Sequence, residues 1–417
     1  MDAQNESRPL AEREKPTPPI SLLELTAIIA SLMALNALAI DIMLPALPDM
    51  QAHFGLTDDN ERQKVIIAFI LGLGLSQLFY GPLMDRFGRK PVLGWALTAY
   101  VAAGAYCAFA QDYDQLVGTR FVQGCAAGAS RVVAAAVVRD FFSGRRMAEF
   151  MSLVMLIFMA APILAPSLGQ AVLLLFHDWI APFWALVVYG AVIGVWAMIR
   201  LPETLKPEDR TPLRPSSIYN SYRTVFTTRV AIGYMAASAL IFSSLFSYVS
   251  ASEQIFGDVF DIHASFPLWF AGIAACMGVS NLINSRIVQR FGMRRLSHTA
   301  LIAMALINVA HAFMAATSVY SFPVFYLLMM LSFLCIGFIG PNFSAMAMEP
   351  LGRIAGVSAA LYGFATTFGS GLIGGWVAGT FDGTTAPVFA GNAGALVIAI
   401  GFVLVAERGR LFVQRSA

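Results

Sequence analysis

Hydrophobic and polar positions along this chain alternate in long blocks, not at the short periods of a surface helix or strand. Twelve apolar runs, at residues 22–44, 63–83, 92–110, 115–138, 147–171, 180–199, 230–250, 265–286, 298–317, 321–344, 354–378 and 385–405, are separated by polar segments. Most are close to the ~20 residues that a helix needs to cross a bilayer. They are too long for membrane strands, and they lack the alternation that strands require. The expected fold class is therefore an all-α membrane protein with twelve transmembrane helices. Small residues recur inside the runs, as in Gly124-Cys125-Ala126-Ala127-Gly128-Ala129-Ser130. Such residues let membrane helices pack closely.

Composition supports the same class. Hydrophobic residues make up 58% of the chain and charged residues 12%, against roughly 45–50% and 25% in a soluble domain. The net charge of +2 gives no reason to expect a nucleic-acid partner. The implied surroundings are the lipid bilayer, and a monomer is expected. Cys107, Cys125, Cys276 and Cys335 all sit in apolar runs without CxxC spacing, and are read as small core residues. The chain carries no catalytic triad, phosphate-binding loop or zinc motif, so neither an enzyme nor a cofactor or metal is expected. A sensor would want a sizeable soluble output domain, and the longest internal polar segment is too short for one.

Basic residues orient the runs. All but four of the 27 lysines and arginines lie in the two termini or at the loops after even-numbered spans. Arg62 and Lys64 lie on the other side, and Arg120 and Arg131 lie inside span four. The opposite loops carry Asp112, Asp114, Asp178, Glu253, Asp258, Asp261 and Asp382. The positive-inside rule then places both termini in the cytoplasm. Residues 1–20, with Pro16, Pro18 and Pro19, read as a polar tail ahead of an uncleaved first span.

An internal repeat divides the chain. Arg86-Phe87-Gly88 recurs as Arg290-Phe291-Gly292, displaced by 204 residues and again at the end of an even-numbered span. The expected organisation is a cytoplasmic tail at 1–20, a six-helix half at 21–200, a cytoplasmic linker at 201–228, a second six-helix half at 229–406 and a tail at 407–417. Parallel repeats of this kind occur in transporters that bind substrate between the halves.

The loop after span two, Gly81-Pro82-Leu83-Met84-Asp85-Arg86-Phe87-Gly88-Arg89-Lys90, resembles the loop signature of the major facilitator superfamily at Gly81, Leu83, Asp85, Arg86, Gly88, Arg89 and Lys90. Arg120-Phe121-Val122-Gln123-Gly124 resembles the span-four motif of that superfamily's proton-coupled drug exporters. Ala165-Pro166-Ser167-Leu168-Gly169-Gln170 is similar to the span-five antiporter motif, departing from it at Ala165 and Gln170. Ala39 to Pro48, Ala161-Pro162-Ile163-Leu164-Ala165-Pro166 and Ala347-Met348-Glu349-Pro350 narrow the resemblance to the Bcr/CflA group of bacterial drug exporters. That resemblance implies a two-half fold, small-molecule and proton partners, and a place in the bacterial inner membrane. It also implies that Asp85 docks on a helix of the other half when the cytoplasmic side closes. Gln289 stands at the matching place in the second copy, so that latch is expected to be weaker there.

Candidate chemistry is sparse. Asp41 is the acid of the first span, about two-thirds along a helix assumed to run from Leu25 to Leu47. An ionised carboxylate there is costly, which suits a group that exchanges protons. Its alternative reading is an inert, wetted interfacial acid. Arg120, at the outer end of span four, reads either as a snorkelling arginine or, through the resemblance, as the partner that couples protons to substrate. Arg131 lies deeper and calls for an acid or a polar cavity. Asn281 and Asn284 share a face of span eight and are candidates for cavity lining. His311 reads as a structural residue. Through the span-five resemblance Pro162, Pro166 and Gly169 join the candidate set. The expected function is proton-coupled efflux of small, mostly apolar drugs by alternating access, with export of a small metabolite such as an amino acid or sugar as the alternative.

Overall fold

The computed structural model describes residues 18–142, 144–210, 215–317 and 320–413. The expected tails therefore lie outside the described residues up to residue 17 and from residue 414. Among the described residues there is no strand. The spans of the first half are Leu22–Asp41, Lys64–Phe87, Arg89–Cys107, Tyr113–Phe141, a divided fifth span of Gly144–Phe158 and Ala160–Phe176, and Ala181–Arg200. Those of the second half are Arg229–Gln254, Phe266–Phe291, Met293–Ala315, Phe322–Met348, a divided eleventh span of Ala355–Phe364 and Ser370–Ala378, and Ala386–Ala406. Among the described residues, ten segments are long and apolar enough by themselves to cross a membrane. Spans three and eleven are the two that fall short. The helix of span three opens on Arg89 and Lys90, which lower its hydropathy, and a π-helical turn at Ala365–Gly369 divides the glycine-rich eleventh.

Local sequence sets the ends of these helices. Ser21 caps span one by accepting from the Glu24 amide at 3.2 Å. The helix stops at Asp41 and not at Leu47, as the sequence had suggested. Pro45 explains the difference, because its ring would collide with the carbonyl four residues back, that of Asp41, and it has no amide to donate. A 3₁₀ turn at Leu44–Ala46 and the short helix Leu47–Phe54 carry the chain onward. Gly88 (φ 101°) and Gly292 (φ 80°) turn spans two and eight into their successors through backbone angles that side chains resist. The linker is not wholly irregular. It contains the helix Pro215–Thr227, and Tyr222 donates to the Leu78 carbonyl of span two at 3.2 Å.

Packing within the first half depends on small residues. A methyl group added at Gly72 would overlap the Phe121 carbonyl, and one at Gly124 would overlap the Phe69 carbonyl. Spans two and four therefore approach almost backbone to backbone. Gly169 of span five does the same against the Ile42 carbonyl, just beyond Asp41. One face of the molecule carries the linker and the ends of spans two, six, eight and twelve. It is called the linker face below, and the other side the opposite face.

Candidate functional site

On the opposite face the two halves are joined. Arg62, only 5% exposed, reaches across to Glu253 at 3.3 Å and to Asp258 at 2.6 Å. Asn60 donates to the Phe381 and Gly379 carbonyls at 2.8 and 3.3 Å. Gln63 donates to Gln254, which in turn donates to the Asp59 carbonyl at 3.0 Å. Below this layer span eleven lies directly on span two. A side chain at Gly74 would strike Phe368, and side chains at Gly371 and Gly375 would strike Ile70 and Ile67.

Asp41 and Arg120 lie just inside that closed layer. Arg120 is fully buried, so it is not a snorkelling residue at the interface. Its guanidinium donates to the Ala39 carbonyl at 2.7 Å, to Gln123 Oε1 at 2.7 Å and to the Val65 carbonyl at 3.4 Å. It also stacks 4.4 Å from the centre of the Phe69 ring. Asp41 is 5% exposed, and among the described residues it makes no hydrogen bond or ion pair. In this arrangement Asp41 is therefore not wetted. Tyr248 of the second half interacts electrostatically with it and has no hydrogen-bond partner for its hydroxyl among the described residues. Arg120 thus grips the last turn of span one two residues from Asp41, without touching the carboxylate.

On the linker face the halves diverge around a cavity of 850 Å³. Its walls come from spans two, four, ten and eleven, with Tyr222 of the linker at its mouth. Arg131 faces this space and is exposed to it, so a polar cavity rather than a buried acid accommodates its charge. Asn281 and Asn284 are not among the lining residues. Asn284 is buried and accepts from Asn342 at 2.9 Å, which holds spans eight and ten together. His311 is buried against Phe389, with ring centres 4.0 Å apart, and contacts the Phe325 carbonyl.

The loop after span two does more than carry charge. Arg89, read from sequence as part of a positive topology signal, is 5% exposed. It binds Asp85 at 2.9 Å, the Met84 carbonyl at 3.0 Å and Asp140 of span four at 3.4 Å. Asp85 lies on the cavity wall, half exposed and paired with Arg89. In this arrangement it contacts no helix of the second half by hydrogen bond or ion pair among the described residues. Gly81 also lines the cavity, and Arg86 is exposed. Pro162 and Pro166 fall in the second piece of span five, beyond its break at Met159.

Glu203 was not singled out from sequence. It accepts from the Arg89 and Lys90 amides at 3.0 and 3.1 Å, capping span three. Glu407, displaced from it by the same 204 residues as the two glycines, accepts from Arg294 at 2.9 Å and Tyr234 at 2.8 Å. Extending the repeat from the loop to the following span ends would have found both.

Two six-helix halves, closed together on one face and parted on the other, make the architecture of a membrane transporter. The sequence profile of the Major Facilitator Superfamily matches residues 29–375. The chain belongs to this superfamily. It is 31% identical to the MFS-type transporter YdgK of Bacillus subtilis, over 82% of this chain and 85% of that one. It is 27% identical to a bicyclomycin resistance protein homolog of Haemophilus influenzae, over 88% and 92%. Among solved structures, a peptide transporter POT in complex with sulfate superposes with a TM-score of 0.74, at 13% identity over 94% of this chain and 96% of that one. The last likeness concerns the fold alone. As a member of the superfamily, this protein is a membrane transporter of small molecules and not an enzyme.

Proposed function

We propose that this protein exports small, mostly apolar drugs or xenobiotics across the bacterial inner membrane in exchange for protons, with both termini in the cytoplasm. The linker face is then the cytoplasmic one, and the arrangement described is the cytoplasm-open state. The observation that carries the reading is the placement of Asp41. It is a buried carboxyl, unpaired among the described residues, directly inside the closed layer; Arg120 holds the backbone two residues away at Ala39, and a solute-sized cavity lies on the far side. Ligand sites commonly occupy about 300–1,000 Å³.

In this mechanism the halves rock about the shared midplane. Asp41 takes up a proton when the periplasmic layer is open and gives it up when the cytoplasmic side is open, while solute moves the other way. Arg120 keeps the end of span one fixed during that exchange. Similarity to the bicyclomycin resistance homolog supports drugs as the solute class. Purified protein in proteoliposomes provides the test. A pH gradient, acid on the periplasmic side, should drive accumulation of an exported dye, and a protonophore should stop it. Dye movement unaffected by the gradient would reject proton coupling.

A further inference from the structure

Arg131 brings into the cavity a charge that no described side chain pairs. Arg131 projects into it from the middle of span four, and among the described residues it makes no hydrogen bond or ion pair. The Tyr362 hydroxyl is within electrostatic reach, and Gln77 lies on the facing wall. Two turns further on, Arg139 lines the same space. The one acid among the described lining residues is Asp85, which is already paired with Arg89 at 2.9 Å. Asp140, next to Arg139 in sequence, is engaged elsewhere, with Arg89 at 3.4 Å and Thr204 at 2.6 Å. Ser221, Tyr222 and Ser344 add uncharged polar groups, and much of the remaining wall is apolar, with Leu78, Val132, Met348 and Val357.

A guanidinium at membrane depth is costly without an anion or water to face. Its planar fork offers two parallel donors, which match a carboxylate. A cationic solute would have to approach Arg131 with no unpaired acid among the described lining residues to receive it. We infer that the cavity binds amphiphilic organic anions, with a carboxylate on Arg131 and an apolar body against the walls of spans two, four, ten and eleven. This rests on the reading of the cavity as the solute site, and narrows that reading from apolar drugs in general to those that carry an acidic group.

Three probes share one ring system and differ in charge: 2-naphthoate, 2-naphthylmethanol and (2-naphthylmethyl)trimethylammonium. Their equilibrium binding to the full-length protein in lipid nanodiscs is measured at one pH. The carboxylate should bind about tenfold more tightly than the alcohol, the scale of one charge-assisted hydrogen bond. The ammonium should bind most weakly. Arg131→Gln should remove the preference for the carboxylate and leave the alcohol unchanged, whereas Arg131→Lys should keep part of it. A second measurement leaves Arg131 intact. Naphthoate, and not the ammonium, should slow alkylation of a single cysteine placed at Met348 on the cavity wall. Equal or tighter binding of the ammonium would overturn the inference, as would an undiminished carboxylate preference in Arg131→Gln. If the alcohol binds and the carboxylate does not, only the anion preference fails. If none of the three binds, the cavity is not the solute site and the broader reading fails with it.

Discussion

The guanidinium of Arg62, in the first half, lies 3.3 Å from the carboxylate of Glu253, in the second, and both side chains are almost completely buried. Asp258 completes the cluster at 2.6 Å from Arg62. Arg62 and Glu253 can be shielded from water together only while the opposite face is closed. The pair therefore favours one state of the transporter by whatever free energy it loses when the halves part.

Arg62→Ala should release that face. Removing one partner of a buried pair typically costs about 3–5 kcal/mol, and the bereaved Glu253 regains water when the halves separate. A cysteine at Ala378, buried in the closed layer, in a background lacking the native cysteines, should react with a polar maleimide at least about tenfold faster, the equivalent of ~1.4 kcal/mol. An unchanged labelling rate would show that the backbone and glycine contacts hold the face shut without the pair.

Asp41→Asn should leave folding and insertion intact and abolish uphill export, because an amide neither takes nor releases a proton. Downhill exchange of the same solute should continue. Export at the wild-type rate under the same pH gradient would exclude Asp41 as the coupling acid.

Asp85→Asn should slow transport more than Lys90→Gln. Asp85 anchors Arg89 in the arrangement described and stands on the cavity wall, and the prediction is that it exchanges that partner for a contact with the second half when the cavity closes. The amide of Lys90, not its side chain, is what Glu203 holds. Transport rates measured side by side in proteoliposomes decide the order. Equal rates would mean that Asp85 makes no contact specific to the closed cavity.

Gly124→Ala should destabilise the protein by about 1–3 kcal/mol, the usual range for overpacking, because the added methyl overlaps the Phe69 carbonyl. Gly118→Ala, in the same helix with open space around it, is the control. It should melt at or slightly above the wild-type temperature, since alanine is the better helix former. Thermal unfolding in one detergent compares the two.

Much was determined by the sequence alone, because hydropathy, charge bias and repetition are local properties. Each apolar run must satisfy its own backbone within the bilayer, so its length foretells a helix wherever it is packed. Gly88 and Gly292 announce their turns by the backbone angles they permit, and the shared displacement between them foretells the two halves. Pro45, had its effect four residues back been followed, foretells the end of span one at Asp41. The tertiary structure decided what the charges do. Gln63 and Gln254 meet although they are 191 residues apart, and Arg62 finds Glu253 only because span two packs against the second half. Arg89 looked like one more basic residue of a solvated loop until Asp140 and Glu203 were folded against it. Arg120, Arg131 and Asn284 are all polar residues in apolar helices. One lies sealed under span one, one faces an open cavity and one joins two helices, because a polar side chain's role inside a membrane protein depends on which neighbours the packing brings within a few ångströms.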